Sequence, residues 1–406
     1  MPGNKFLATT DVAAWLGELS KTMRVFAPRA EGQAVVYREF DAAKDLELRR
    51  KPTESAKHVL FPRSEELLSF NYQRPPFGAP EIKKEGEGQA DQPVVSQVNV
   101  KTPADPAPTL IFGMLGCDAG SVTTFDPIFG GNAFKDVYYL KKRQATVLIV
   151  RACAEVLSTC FCNWVGGDPA NDKNADVLAT ELADGWLLRP LTDRGEKVLA
   201  SPLLKDAPAT ADGEAAAIHD KARKALGEAP NLEGIDAALF TLFSDNDFWR
   251  RESAGCLACG ACTYLCPTCH CFSITDETSA RSGVRLRSWD TCMAALYTLE
   301  ASGHNPRSLK AARLRNRVGH KFAYFIRNND GQISCCGCGR CIKSCPSSVD
   351  IRQIVKDALV AAASVAPAPA PVTPAPAAPA APPPPQPAAP AAAPTKGKGR
   401  KEKANG

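Results

Sequence analysis

Apolar residues near the start of the chain recur at the spacing of a helix and then of short strands. The positions that share one helix face are Val12, Trp15, Leu16 and Leu19. Apolar residues three and four positions apart lie on the same side of a helix, so we expect an amphipathic helix capped by Thr9 or Thr10. β-Branched and aromatic residues then concentrate at 23–26 and 34–37, which predicts two strands.

Two further apolar runs predict the centre of a sheet. Residues 109–114 and 145–150 form compact apolar runs bounded by turns, as buried strands do. A helix between them would complete a βαβ unit with parallel strands. We therefore expect residues 1–245 to form an α/β domain.

The rest of the ordered chain has mainly helical spacing. Residues 207–245 are rich in Ala and Leu, and helical composition recurs at 289–302, 306–328 and 350–365. These patterns predict that residues 246–365 are mostly helical.

Two segments lack the pattern of a packed element. Residues 75–108 are rich in Pro, Gly, Lys and Glu and predict a surface excursion. Residues 366–394 are almost entirely Ala and Pro, so we expect 366–406 to be a disordered, extended tether. Five basic residues and one acidic residue near its end give the tail +4 of the formal charge of +5. Both a passive linker and a basic anchor fit this composition.

The remainder of the chain is therefore almost neutral, which gives no indication of nucleic acid as a partner. The N-terminus has no secretory signal pattern. The sequence also lacks a run of about 18 apolar residues, so it predicts no membrane span. We therefore expect a cytoplasmic protein whose sixteen cysteines are reduced.

Eight of those cysteines form two copies of one pattern. The first run is Cys256, Cys259, Cys262 and Cys266, and the second is Cys335, Cys338, Cys341 and Cys345. Each reads C-x2-C-x2-C-x3-C-P, the spacing that holds [4Fe–4S] clusters, whereas zinc sites usually combine two distant C-x2-C pairs. The sequence therefore predicts two [4Fe–4S] clusters.

In such runs three cysteines bind one cluster, and the fourth reaches across to the neighbouring cluster. The predicted ligands of the first cluster are Cys256, Cys259, Cys262 and Cys345. Those of the second are Cys335, Cys338, Cys341 and Cys266. Sixty-eight residues separate the two runs, far more than in the smallest two-cluster ferredoxins. The helical composition of this insert favours a helical ferredoxin-like domain over the compact, β-containing kind.

Four other cysteines follow the two predicted parallel strands, namely Cys117, Cys153, Cys160 and Cys162. They indicate either an additional metal or iron–sulfur site, with Asp118 as a further oxygen ligand, or four cysteines that pack as small apolar residues. Cys269, His270 and Cys271 indicate either a third ligand set or packing and hydrogen bonding around the first cluster, which we expect. Cys336 is expected to be structural, and Cys292 is open to the same two interpretations.

A basic run lies in the insert between the two cysteine runs. Its members are Arg313, Arg315, Arg317, His320 and Lys321. A solvated helix face, cations that raise a cluster's potential and a docking surface for an acidic partner all fit this spacing.

The order of several stretches carries a family resemblance. They are Phe-Pro-Arg-Ser-Glu-Glu-Leu-Leu at 61–68, Phe-Gly-Met-Leu-Gly-Cys-Asp at 112–118, Thr-Cys-Phe-Cys at 159–162, the run over 256–272 ending in Cys-Pro-Thr-Cys-His-Cys-Phe, Trp-Asp-Thr-Cys at 289–292, Ala-Ser-Gly-His-Asn-Pro-Arg at 301–307, His-Lys-Phe at 320–322 and the run over 338–346. The chain resembles the iron–sulfur beta subunits of cytosolic nickel–iron hydrogenases (sulfhydrogenases) and the related iron–sulfur subunit of anaerobic sulfite reductase. Relatives usually carry Arg-Pro before the Cys-Asp at 117–118, and this departure weakens any role for the Cys117 loop.

The resemblance implies a relay subunit that passes electrons between two partners, a flavin/NAD(P)-binding subunit on one side and a catalytic subunit of hydrogenase or sulfite-reductase type on the other. The predicted fold class is accordingly α+β: an N-terminal α/β domain, a helical ferredoxin-like domain with two clusters, and a disordered tail. We expect no catalytic residues in this chain. Two other classes stay open, an oxidoreductase with its own flavin or metal site in the N-terminal domain and a zinc-stapled scaffold, although no nucleotide-binding fingerprint is present.

Overall fold

The computed structural model describes residues 3–44, 46–73, 97–131, 134–279 and 281–365. In these ranges the strands are β1 (Lys5–Ala8), β2 (Arg24–Glu31), β3 (Ala34–Glu39), β4 (Ser64–Gln73), β5 (Gln97–Lys101), β6 (Thr109–Leu115), β7 (Thr146–Arg151), β8 (Val177–Glu181), β9 (Gly185–Pro190), β10 (Lys205–Asp206), β11 (Phe272–Ser279) and β12 (Ser282–Trp289).

The helices in the same ranges are α1 (Val12–Leu19), α2 (Lys57–Leu60), α3 (Gly116–Gly120), α4 (Val122–Gly130), α5 (Val137–Ala145), α6 (Asp193–Val198), α7 (Ala211–Leu226), α8 (Ile235–Thr241), α9 (Asn246–Glu252), α10 (Ala261–Tyr264), α11 (Lys310–Gly319), α12 (Phe325–Asn328), α13 (Arg340–Lys343) and α14 (Ile351–Ala363). Short 3-10 turns cover Thr9–Asp11 and Cys162–Val165, and a π-helical turn covers His320–Tyr324.

The larger sheet has the strand order β10-β1-β9-β8-β7-β6-β2-β3. Strands β2, β6, β7 and β8 pair in parallel, and the flanking pairs are antiparallel. Strands β6 and β7 with helices α3 to α5 between them confirm the predicted βαβ unit. The strands predicted at 23–26 and 34–37 are also confirmed, as parts of β2 and β3.

Both faces of this sheet are covered by apolar side chains. In β6, Leu110 and Phe112 point into the core that packs against α1, whereas Ile111 and Met114 point into the core on the opposite face. The register shifts between Phe112 and Met114, where Gly113 has φ +72°. A strand buried on both faces needs apolar residues at consecutive positions, and residues 109–114 have them.

Helix α1 has the predicted apolar face, since Val12, Trp15 and Leu16 are buried. The predicted cap is wrong, because Thr9 and Thr10 belong to the preceding 3-10 turn. Asp11 occupies the cap position, and its side chain makes no capping hydrogen bond.

The smaller sheet has the order β11-β12-β4-β5, all antiparallel. Its hairpin β11–β12 lies between the two cysteine runs, and the prediction of a mostly helical insert did not include this hairpin. Residues 290–302 also form turns rather than the predicted helix. Strand β4 comes from the N-terminal part of the chain and pairs with β12, so this sheet joins residues from both sides of the predicted boundary at 245.

The predicted helices at 306–328 and 350–365 correspond to α11, the π-helical turn, α12 and α14. With α8 and α9 they enclose a third apolar core beside the cysteine runs. The described residues all belong to one compact unit. Of the predicted surface excursion, residues 75–96 lie outside the described residues, and Gln97–Lys101 form strand β5. The predicted tail over 366–406 also lies outside the described residues.

Candidate iron–sulfur site

The two cysteine runs follow the same backbone course. Gly260 and Gly339 have φ of +77° and +74° and stand immediately before the one-turn helices α10 and α13. Two residues earlier, Ala258 and Gly337 have φ of +54° and +61°. Left-handed residues turn the chain sharply, and here they occupy the positions between the first three cysteines of each run. The repeated sequence pattern therefore folds as a repeated loop.

The first cavity beside these loops is lined by cysteines from both runs. They are Cys256, Cys259 and Cys262 from the first run and Cys341 and Cys345 from the second. The apolar part of its wall comes from Met293, Leu314, Val318, Ile351 and Ile354. The fourth cysteine of the second run thus lies with the first three cysteines of the first run.

The second cavity shows the reciprocal arrangement. Its lining cysteines are Cys266 from the first run with Cys335, Cys336, Cys338 and Cys341 from the second. Phe161 and Ile351 supply apolar wall, and Arg317 and Lys321 supply charge. Each cavity therefore contains all four cysteines that the sequence predicts for one cluster, and Cys341 and Arg317 line both cavities.

The donor set and its surroundings fit [4Fe–4S] clusters. Thiolates are the ligands that iron–sulfur clusters take from proteins. Backbone N–H groups point at three of the sulfur atoms: Ala258 N lies 3.3 Å from Cys256 Sγ, Gly337 N lies 3.4 Å from Cys335 Sγ and Val349 N lies 3.3 Å from Cys345 Sγ. Amide donors stabilise the negative charge of thiolates and of the cluster they hold.

Two cations are buried beside the cavities. Arg317 is 4% exposed and Lys321 is 2% exposed. Arg317 Nη1 lies 3.6 Å from Cys269 Sγ, and Lys321 Nζ donates to Thr268 Oγ1 at 2.7 Å and to Ser334 O at 3.0 Å. Burial alone would lower the pKa of Lys321, but the nearby sulfur of Cys266 raises that pKa above its ordinary value. Because burying a charge is costly unless the charge is paired, two buried cations at this place favour an anionic neighbour in the cavities.

Four cysteines outside the runs interact with other thiols. Cys269 lowers the pKa of the neighbouring Cys266, and Cys336 lowers the pKa of the neighbouring Cys338 to about 6. Cys292 contacts Cys271 in the same way. These contacts match the predicted packing and hydrogen-bonding role of these cysteines.

Two histidines lie side by side near this region. The rings of His270 and His320 are 5.4 Å apart at an angle of 63°. Burial lowers the pKa of His270 to about 4 and that of His320 to about 3. Both imidazoles are therefore neutral near pH 7, so His320 does not belong to the charged part of the basic run.

The second run is held against the end of the larger sheet by a buried ion pair. Arg340 Nη2 donates to Asp118 Oδ2 at 2.8 Å, and Arg340 Nε donates to Pro52 O at 3.1 Å. Asp118 has no exposed surface. Arg340 pairs with both carboxylate oxygens of Asp118, so the structure gives no support to Asp118 as a metal ligand.

The four cysteines after the parallel strands are placed near the second run. Cys117 and Cys162 line a separate cavity together with Cys335 and Cys336. Cys160 Sγ accepts hydrogen bonds from Lys51 Nζ at 2.9 Å and Leu157 N at 3.3 Å, and burial raises the pKa of Cys153.

Across the described ranges, no group of three or more His, Cys, Asp or Glu side chains is arranged to hold a single metal ion. The ligands of a cubane bind different irons and need not converge on one point, so this finding concerns single-ion sites. The additional site predicted at Cys117, Cys153, Cys160 and Cys162 gains no support from the structure.

Two lysines near the runs were not identified from the sequence. Lys51 Nζ lies 3.0 Å from Cys338 O, and Lys57 Nζ lies 3.0 Å from Cys269 O and 3.7 Å from the centre of the Trp289 ring. Burial lowers the pKa of Lys57 to about 8. Both lysines precede the cysteine runs by about 200 residues or more, and no local pattern in the sequence distinguishes them.

Comparison with known proteins agrees with this geometry. Residues 255–349 match the family described as a 4Fe-4S dicluster domain, so the chain is an iron–sulfur protein with a dicluster domain. The beta subunit of sulfhydrogenase 2 from Pyrococcus furiosus is 30% identical to this chain over 254 residues, which make up 61% of this chain and 73% of that subunit. The chain belongs to this iron–sulfur beta-subunit family and has an iron–sulfur electron-transfer role.

No solved structure gives a significant match to this chain. Among the described residues, no helix is long and apolar enough to cross a membrane.

Proposed function

We propose that this chain is the electron-transfer subunit of a multi-subunit oxidoreductase. Its two [4Fe–4S] clusters relay electrons between two partners, one that binds flavin and NAD(P) and one that is a catalytic subunit of hydrogenase or sulfite-reductase type. The observation that carries the proposal is the reciprocal exchange of Cys266 and Cys345 between two cavities that share Cys341. The name of the relative, a subunit of a sulfhydrogenase, supports partner subunits.

The proposed ligand sets follow the two cavities. Cys256, Cys259, Cys262 and Cys345 hold the first cluster, and Cys335, Cys338, Cys341 and Cys266 hold the second. A bound [4Fe–4S] cluster supplies a site that accepts and returns one electron at a time. Cys341 and Arg317 line both cavities, so the two cavities are adjacent.

The protein around the cavities has three functions in this proposal. The apolar side chains of Met293, Leu314 and Val318 form part of the wall of the first cavity, and a low local dielectric beside them strengthens charge interactions. The amides of Ala258, Gly337 and Val349 donate to the thiolates. The buried cations balance part of the negative charge that four thiolates bring to each cavity.

Single-cysteine variants test the proposal and the exchange of the fourth ligands. After anaerobic purification, Cys259→Ser and Cys345→Ser should each lose the same EPR signal. Cys266→Ser and Cys338→Ser should each lose the EPR signal of the second cluster. Iron content should fall in all four variants relative to the wild type. Cys292→Ala is the matched control, because Cys292 is buried but lines neither cavity.

An unexchanged arrangement would give a different pairing, in which Cys345→Ser loses the same signal as Cys338→Ser. Wild-type protein that contains zinc and no iron would contradict the cluster assignment altogether. Flavin bound to the isolated chain would instead favour an oxidoreductase with its own active site.

A further inference from the structure

Arg317 and Lys321 lie on one side of a continuous helical segment. Arg317 is in the last turns of α11, and Lys321 follows in the π-helical turn His320–Tyr324. Single π turns inside helices change which residues face a given direction and occur often at functional sites. Here the turn places Lys321 at the second cavity, and Arg317 stands at the boundary of both cavities.

The partners of these two cations differ from those of two other buried arginines, Arg287 and Arg340. Arg287 donates to Glu65 and Asp136, and Arg340 donates to Asp118. Within the described residues, the partners of Arg317 and Lys321 are instead a thiol, a hydroxyl and a backbone carbonyl. A buried cation without a negative neighbour is very unfavourable. The cysteines of the two cavities are the groups that supply the negative charge.

Fixed positive charge beside a cluster affects its reduction. When a cluster gains one electron from an outside donor, its charge becomes more negative by one, and no bond is formed or broken in the protein. A cation held nearby stabilises the reduced form and therefore raises the reduction potential. The low dielectric of a buried site makes this effect larger than it would be in water.

We propose that the buried cations Arg317 and Lys321 raise the reduction potentials of the two clusters. Arg317 acts on both clusters, and Lys321 acts mainly on the second. The proposal rests on the proposed function, since it needs clusters in the two cavities. The residues of the basic run differ in their surroundings, and only some of them lie at the cavities. Arg315 lies over the ring of Phe243 at 4.2 Å and donates to the carbonyl of Phe243. Arg315 is therefore not among the cations proposed to raise the reduction potentials.

The test is a redox titration with dithionite, followed by EPR, of the purified full-length chain with its clusters. Lys321→Met should lower the midpoint potential of the second cluster more than that of the first. Arg317→Gln should lower both potentials. We expect at least a tenfold change in each affected one-electron reduction equilibrium, which corresponds to about 59 mV. Arg317→Lys keeps the charge and should stay near the wild-type potentials.

Arg313→Gln is the matched control. Arg313 lies one turn before Arg317 on α11, is 7% exposed, and donates to the backbone carbonyls of Arg307 and Ser308. It lines neither cavity, so both potentials should change less than in Arg317→Gln. A structural role alone would affect these two arginines alike.

Three results would overturn the inference. Unchanged potentials in Lys321→Met and Arg317→Gln that retain both clusters would remove it while leaving the proposed function intact. Equal shifts in Arg313→Gln would show a general effect of charge on the helix. If Lys321→Met and Arg317→Gln lose both clusters while Arg317→Lys keeps them, the cations are needed for cluster assembly and not for setting the reduction potentials. Wild-type protein without cubane signals would contradict the proposed function itself.

Discussion

The first cysteine run and the second share a backbone course but have different surroundings. In the first run Cys259 is exposed, and Leu257 beside it is 69% exposed. In the second run Cys338 and Arg340 are buried, and the loop packs against the residues that follow strand β7. One ligand pattern is thus used twice, once facing outward and once against the α/β part of the chain.

The difference indicates a division of tasks between the two runs. Under the proposed function, the outward-facing run is the better position for exchanging electrons with a partner subunit, because transfer between proteins requires a cluster near the surface. The inward-facing run contacts the residues that follow the larger sheet's strand β6 through Arg340 and Asp118. Equivalent substitutions in the two runs should therefore have unequal effects.

The largest expected effect is the loss of the buried ion pair of the second run. Arg340→Met leaves the carboxylate of Asp118 buried without a partner, which costs about 3–5 kcal/mol. The equivalent residue of the first run is Ala261, and Ala261→Ser should change stability by less than about 0.5 kcal/mol. Denaturant unfolding of the anaerobic, cluster-loaded protein measures both.

A double variant separates the ion pair from simple packing. Asp118→Asn combined with Arg340→Met removes both charges and should recover part of the lost stability, because no unpaired charge remains. A single Arg340→Met variant that unfolds at the wild-type denaturant concentration would show that the second run is not held by this pair.

The next effect compares two glycines with the same backbone angle. A side chain at Gly339 would lie 2.5 Å from the carbonyl carbon of Thr159, whereas one at Gly260 would meet Thr291 and Tyr264 at 3.3 Å. Both alanine variants incur about 1–2 kcal/mol for the left-handed conformation. Gly339→Ala adds about 1–3 kcal/mol of overpacking, so it should lose more stability and more of the second cluster's EPR signal. Equal losses in Gly260→Ala would contradict the tighter packing of the second run.

The parts of this site that the sequence predicted are those with local patterns. The spacing of the cysteines and of the apolar runs at 109–114 and 145–150 depends on neighbouring residues, so it can be read directly. The hairpin β11–β12 could not be predicted from the sequence, because β11 is largely exposed and has no buried, alternating face. Composition at 290–302 favoured a helix, but contacts such as Thr298 Oγ1 to Asn305 Oδ1 at 2.8 Å stabilise turns.

The charged contacts of the site were beyond prediction for a different reason. Lys57 contacts Cys269 and Arg340 contacts Asp118 across more than 200 residues of chain. Such pairs form only when the sheet and the cysteine loops pack together, and neither partner has a local signature. The sequence shows the basic run, but its spacing does not separate Arg317 from Arg315. Arg317 lies at the cavities, whereas Arg315 lies over the ring of Phe243.

A smaller effect concerns access of solvent to the two clusters. Cys259 is exposed, whereas Cys266 and Cys338 are buried, so an iron chelator should remove iron from the first site before the second. Iron release followed by absorbance should have two phases, and the EPR signal lost in the fast phase should be the one missing in Cys259→Ser. Release in one phase, or loss of the other signal first, would contradict the outward position of the first run.

The smallest effect is expected at the second position of each run, where Leu257 and Cys336 correspond. Leu257 is largely exposed, so Leu257→Ser should change the free energy of unfolding by less than about 0.5 kcal/mol. Cys336 hydrogen-bonds to Cys338 and lines the second cavity, so Cys336→Ala should cost about 1 kcal/mol through the lost hydrogen bond. Denaturant unfolding can resolve this difference. A larger cost for Leu257→Ser would mean that its side chain is packed, and that the first run does not face outward.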